Sequence, residues 1–128
     1  MTVLPKGYLS PHFRSDEFRC RCCGKLHPSG IQPPAELLDI LEDIRSHFGG
    51  KAVTVVSGYR CPIHNKAVGG AKYSQHMVGN AADIQIAGVS PDDVTAYADK
   101  VVDKRGGVGR YGTFTHVDTR GYKARWQG

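Results

Sequence analysis

The chain has 128 residues, 40% of them apolar, and its formal charge is +5. That length fits one domain with a single core. No apolar run approaches the roughly 20 residues that a membrane-spanning helix needs. The N-terminus also lacks the basic and apolar segments of a signal peptide, so we expect any export to use another route, such as lysis or delivery on a particle.

The positive charge favours anionic partners such as nucleic acid, wall polymers or lipid head groups. Lys and Arg are scattered along the chain, however, without the dense basic run that is typical of nucleic-acid binding. We therefore expect a monomer without a nucleic-acid partner.

The four cysteines are Cys20, Cys22, Cys23 and Cys61. Their spacing differs from the paired C-x₂-C of a zinc ribbon, and the adjacent Cys22 and Cys23 cannot easily bond to each other. Three states stay open: free thiols in a reducing cytosol, a disulfide between Cys61 and one of the other three, and a second, thiolate-rich metal site.

Residues 1–33 are predicted to form a mostly irregular arm, because prolines and glycines interrupt any long element. Ser15 is placed to open one short helical turn. Phe13 and Phe18 are predicted to anchor the arm on the core.

Two main helices follow from local signals. One starts at Pro34, with apolar residues at helical spacing on one face. The other has Ser90 as cap and Pro91 at its first position, with acidic residues in its first turn. A glycine pair ends each helix, and residues 62–68 are predicted as a shorter helix between them.

Five short runs read as strands: 52–56, 81–86, 108–111, 114–118 and 124–126. With the helices between them, they predict a single α+β domain over residues 1–128, with an antiparallel sheet packed by the two main helices.

Three side chains are candidates for one metal site. His76 lies on a predicted loop, and Asp83 follows seven positions later on a strand, with Gly79 between them to let the chain turn. His116 comes from a neighbouring strand. Three N and O ligands with an open fourth position are typical of a catalytic zinc.

Two further residues are candidates for the chemistry. Asp118 shares a strand face with His116. There it could act as the general base towards water, which is our prediction, or it could orient a ligand histidine. Arg60 follows a strand and could hold oxyanion charge or bind a substrate carboxylate. The alternative for Arg60 is an ordinary surface ion pair.

The stretches SGYRCPIHNKAVGGAKYSQHMVGNAADI and GRYGTFTHVDTR resemble a family of zinc peptidases of bacterial cell walls and phages. It includes D-Ala-D-Ala carboxypeptidases, vancomycin-resistance dipeptidases and endolysin-type L-alanyl-D-glutamate peptidases. The likeness looks greatest to the small phage branch. It implies an α+β fold, Zn²⁺ as cofactor and peptidoglycan peptides as substrate. The matching metal ligands are His76, Asp83 and His116, and the matching substrate-binding residues are Arg60 and Ser74.

The chain departs from that family at one place. Many members carry an acid three residues before the last histidine, and some a histidine two before it, whereas Thr113 and Phe114 stand here. We therefore predict Asp118 as the base of a peptidase that cuts stem peptides, as carboxypeptidase or endopeptidase. The protein is expected in the cytoplasm until release, or on a phage. The resembling fold also occurs in the signalling domain of Hedgehog proteins, so the alternative is a zinc-containing wall-binding or structural module without peptidase activity.

Overall fold

The computed structural model describes residues 4, 6–20, 33–70 and 74–128, and for Val78 the backbone alone. Its main sheet has five strands in the order β3-β4-β6-β5-β7. The strands are β3 (Val53–Ser57), β4 (Ala81–Ile86), β5 (Gly107–Arg110), β6 (Thr115–Asp118) and β7 (Ala124–Gln127). Together with the helices described below, this sheet confirms the predicted α+β class.

The sheet is mixed, which corrects the predicted antiparallel arrangement. Three of its four neighbouring pairs are antiparallel, but β5 and β7 run parallel. The physical reason is that the chain crosses the end of β5 and reverses direction over the segment 119–123. β7 therefore runs opposite to β6. Since β5 also runs opposite to β6, β7 lies parallel to β5.

Three helices accompany the sheet: α1 (Ala35–His47), α2 (Pro62–Ala67) and α3 (Pro91–Val102). The predicted cap of α3 is present, since Ser90 Oγ accepts the N–H of Asp93 at 3.2 Å. Pro34 is the residue before α1 instead of lying within it. The core consists of apolar side chains from α1, α3 and the sheet, including Leu37, Leu41, Ile44, Ile84, Val94, Val102, Val108 and Val117.

Among the described residues, no helix has the length and apolarity needed to cross a bilayer.

The N-terminal arm is more regular than predicted. Within the described residues, β1 (Tyr8–Ser10) pairs antiparallel with β2 (Phe13–Arg14), and a 3-10 turn follows at Ser15–Phe18. Elements of two to four residues are too short for a periodic pattern to show in the sequence. The anchoring role of Phe13 and Phe18 is confirmed, because both side chains are fully buried in the core.

Candidate metal centre

Three buried side chains converge where β4 meets β6. The antiparallel register sets Asp83 directly opposite His116. His76 lies on a 3-10 turn, Gln75–Val78, and not on the predicted loop. Ser74 begins this turn by accepting the His76 N–H on Oγ at 3.2 Å, and the turn leads straight into β4.

The three ligand atoms form a nearly equilateral triangle. His76 Nε2 lies 3.1 Å from Asp83 Oδ1 and 3.2 Å from His116 Nδ1, and His116 Nδ1 lies 3.0 Å from Asp83 Oδ1. Tetrahedral zinc with bonds of about 2.0–2.1 Å sets its ligand atoms about 3.3 Å apart. The structure thus brings together the three predicted ligands at a spacing that suits one small cation.

Hydrogen bonds on the far side of each imidazole determine which nitrogen carries a proton. His76 Nδ1 lies 2.7 Å from the Gly58 carbonyl oxygen, which can only accept, so Nδ1 carries the hydrogen. His116 Nε2 lies 2.7 Å from a carboxylate oxygen of Asp118, and in the neutral ring Nδ1 is then bare. Two imidazole lone pairs and one carboxylate oxygen therefore face one another, an arrangement that a shared cation stabilises.

Arg60 holds the other oxygen of Asp83. Its Nη2 donates to Asp83 Oδ2 at 3.1 Å, while Nε donates to Ser57 Oγ at 3.1 Å and Nη1 to Asn65 Oδ1 at 3.0 Å. Burial alone would raise the pKa of Asp83, but hydrogen bonds and electrostatic attraction from the His116 and His76 rings, when these are protonated, outweigh burial and hold this pKa far below its usual range. The ionised form of Asp83 is therefore favoured, and Arg60 keeps this candidate ligand in place.

Asp118 lies behind His116, on the side away from the ligand nitrogen. Its side chain is fully buried. Oδ2 faces His116 Nε2 and accepts from Arg120 Nη2, both at 2.7 Å, and Oδ1 accepts the Gly107 N–H at 2.8 Å. Burial would raise the pKa of Asp118, but the hydrogen bonds from His116 and Arg120 hold it well below normal. The role of Asp118 as general base stays a prediction. Its position beside the outer nitrogen of His116 suits the alternative role, which is to orient a ligand histidine.

The pKa values of the two histidines are shifted in opposite directions. Burial lowers the pKa of His76, and Asp83 does not make up the difference. Burial also opposes the charged form of His116, but hydrogen bonds to Asp118 and Asp83 outweigh it and raise its pKa. A ligand histidine must be neutral to bind a metal, so the raised pKa of His116 would make metal binding stronger as pH rises.

The triad opens into a cleft of about 760 Å³, within the usual range for ligand sites. Its lining includes polar side chains before β4, namely Ser57, Arg60, His64, Ser74 and Gln75. It also includes Tyr111, Phe114, Arg120 and Trp126 from the C-terminal part of the chain. The described lining residues include two arginines, Arg60 and Arg120, and a single acid, Asp83.

Comparison with known proteins agrees with this geometry. The model of the peptidase M15 family matches residues 11–118. The chain belongs to the peptidase M15 family. This result confirms the resemblance found in the sequence, and it places the whole triad inside the matched region.

Two relatives are informative within the M15 family. The chain is 40% identical over 83 residues to a probable peptidoglycan L,D-endopeptidase, MepK, of Haemophilus influenzae, covering 59% of this chain and 43% of the relative. It is 46% identical over 44 residues to a zinc D-Ala-D-Ala carboxypeptidase of Streptomyces albus G, covering 34% of this chain and 17% of the relative. The chain thus spans less than half the length of either protein.

The sequence did not single out the residues that support His116 in this M15 domain. The Trp126 ring lies 4.9 Å from the His116 ring, between centroids, and the Arg120 guanidinium lies 5.0 Å above the indole. Trp126 Nε1 also donates to Tyr111 Oη at 2.9 Å. No local pattern indicates these contacts, because they join β6, β7 and the end of β5.

Gly109 on β5 makes room for the indole. A Cβ at this position would lie 2.5 Å from Trp126, closer than side-chain carbons approach one another. Gly109→Ala is expected to displace Trp126 from His116 and to weaken metal binding by about tenfold, the lower end of the usual effect of losing support around a ligand. Competition with a chromophoric chelator measures the affinity.

Gly112 supplies the matched control, since a Cβ there meets nothing within 4 Å. Gly112→Ala should bind zinc like the wild type. Equal affinities for the two alanine variants would show that Trp126 does not support the metal centre.

Proposed function

We propose that the chain is a zinc-dependent peptidase that hydrolyses peptide bonds in peptidoglycan stem peptides. The observation that carries this proposal is the triangle of His76 Nε2, Asp83 Oδ1 and His116 Nδ1, whose outer hydrogen bonds leave three acceptors facing one another. Family membership supports the reaction class. Similarity to a zinc D-Ala-D-Ala carboxypeptidase and to a probable peptidoglycan endopeptidase supports zinc and a wall substrate.

His76, Asp83 and His116 would hold the zinc, and a three-ligand N and O set suits a catalytic rather than a structural ion. Zinc in such a site supplies Lewis acidity, polarising a carbonyl and lowering the pKa of water. Arg60 donates to Asp83 Oδ2 and so orients this carboxylate. Two N–H groups of Arg60 have no partner among the described residues. Arg60 and Ser74 both line the cleft, where we propose that they bind substrate.

We propose that Asp118 orients His116 instead of taking a proton from water. Its oxygens already accept from His116, Arg120 and Gly107, and the side chain does not line the cleft. Outside the triad, His64 and Tyr111 are the described lining side chains that can exchange a proton, since arginine stays charged.

The positive cleft supports a substrate that carries carboxylates, as stem peptides do. We further propose a monomer that has no nucleic-acid partner and reaches the wall by lysis or on a phage particle. The scattered distribution of the +5 charge is the support for leaving nucleic acid out.

Digestion of purified murein with and without a chelator tests the proposed activity. We expect new amino termini in the untreated sample, none after chelation, and recovery when zinc is added back. Mass spectrometry of the products then separates loss of a terminal D-Ala from cleavage within the stem. Identical muropeptide profiles with and without chelator would argue against a zinc peptidase.

One observation favours a second candidate, a zinc-containing wall-binding module without activity. Asp83 is the single acid among the described residues of the cleft, so the cleft offers no carboxylate base apart from a ligand. A protein that binds one zinc and sediments with murein, yet releases no amino termini, would support this candidate.

A further inference from the structure

We propose that Cys20 and Cys61 form a disulfide when the protein meets an oxidising environment. Neither is in a disulfide in the structure, and Cys20 is buried while Cys61 is half-buried. The Cys61 backbone N–H donates to Cys20 Sγ at 3.4 Å. Of the three partners that the sequence left open for Cys61, Cys22 and Cys23 lie outside the described residues, whereas Cys20 is in direct contact.

This contact is one of several between two segments of the chain, residues 18–20 and residues 58–61. The Tyr59 N–H donates to the Phe18 carbonyl at 2.9 Å. A Cβ on Gly58 would lie 2.6 Å from Phe18 Cα, so only glycine allows the segments to come this near. Two hydrogen bonds and a tight backbone contact therefore keep Cys20 beside Cys61.

The geometry suits a cross-link. In a disulfide, the sulfur of one cysteine lies about 3 Å from the Cβ of the other. Cys20 Sγ is already 3.4 Å from the Cys61 nitrogen, which is two bonds from that Cβ. We expect rotation of the Cys61 side chain about χ1 to bring its sulfur towards Cys20 Sγ.

That rotation has a small local cost. Cys61 Sγ now accepts the His64 N–H at 3.4 Å and so caps α2, but sulfur is a weak acceptor. Asn65 still ties α2 to Arg60 at 3.0 Å, and Pro62 still starts the helix. We therefore expect α2 to persist after the cross-link forms.

The reaction balances by exchange with a low-molecular-weight disulfide. The Cys61 thiolate attacks one sulfur of that disulfide, releases one small thiol and forms a mixed disulfide. The Cys20 thiolate then displaces the second small thiol. Two protein thiols are oxidised, one external disulfide is reduced, and the two protons of the protein thiols end on the two small thiols that are released. Reducing cytosol would keep both cysteines as thiols, whereas the outside of a cell would not.

The cross-link would stiffen the support of the metal centre. It joins the arm to the segment whose Gly58 carbonyl holds His76 and whose Arg60 holds Asp83. The two cysteines are 41 positions apart, and closing a loop of that size should raise the Tm by about 5–15 °C.

The test uses the full chain, purified reduced and then incubated with oxidised glutathione at pH 8. Unreduced digestion and mass spectrometry should show a peptide that joins Cys20 to Cys61. The Tm should rise in the wild type and in the double variant Cys22→Ser with Cys23→Ser. It should not rise in Cys20→Ser or Cys61→Ser.

Two results would overturn the disulfide: a bond from Cys61 to Cys22 or Cys23, or continued alkylation of both Cys20 and Cys61 by iodoacetamide after oxidation. The inference is independent of the proposed peptidase activity. Zinc content and murein hydrolysis are measured separately on the same samples, so failure of one proposal is distinguishable from failure of the other.

Discussion

Replacing Asp83 with alanine is expected to abolish both stoichiometric zinc binding and murein hydrolysis. The substitution removes a ligand oxygen that lies 3.0–3.1 Å from His116 and His76. It also leaves the Arg60 side chain, only 13% exposed, without its carboxylate. Breaking a buried ion pair from one side costs about 3–5 kcal/mol. Metal analysis after gel filtration and a thermal melt measure the two effects.

Two control variants separate these effects. Asp83→Asn retains the shape of the side chain but removes its charge, so it should lose zinc while unfolding closer to the wild-type temperature. Asp92→Ala removes an exposed carboxylate paired with Arg110 and should leave zinc and activity unchanged. An Asp83→Ala protein that still carries one zinc per chain would rule out the proposed ligand set.

Asp118→Asn should lower zinc affinity by about 10–100-fold, because the side chain behind a ligand histidine sets its tautomer and orientation. Once zinc is saturating, kcat should stay within about tenfold of the wild type, since the proposed role ends with the placing of His116. Titration against a competing chelator and turnover at several zinc concentrations provide both numbers.

Asp118→Asn also distinguishes the positioning role of Asp118 from a role as general base. A general base contributes about 10²–10⁴-fold to the rate, so its loss would reduce kcat by that factor while zinc affinity stayed unchanged. Asp99→Asn is the control, an exposed carboxylate that pairs with Arg125 at 2.5 Å. If kcat alone falls in Asp118→Asn, the positioning role is wrong and the original prediction holds.

Much of the fold follows from local signals in the sequence. α1 and α3 have apolar residues at helical spacing, and α3 also has its Ser90 cap, so neighbouring residues suffice to define both. β4 is predicted with its observed bounds, Ala81–Ile86. The short β1 and β2 were missed because strands of two or three residues show no periodic pattern in the sequence. The parallel pairing of β7 was missed because it depends on a partner strand that is not its neighbour in sequence.

The candidate site also depends partly on local sequence and partly on tertiary structure. The sequence by itself determined the identity of the three candidate ligands, because His76, Asp83 and His116 stand within motifs that resemble a known family. Tertiary structure alone decided that β4 and β6 align Asp83 with His116. It also decided that Asp118 faces the outer nitrogen of His116 and that Arg60 is bound to Asp83. Alternation along a strand determines the face of a side chain, but the atom that it meets depends on packing between strands.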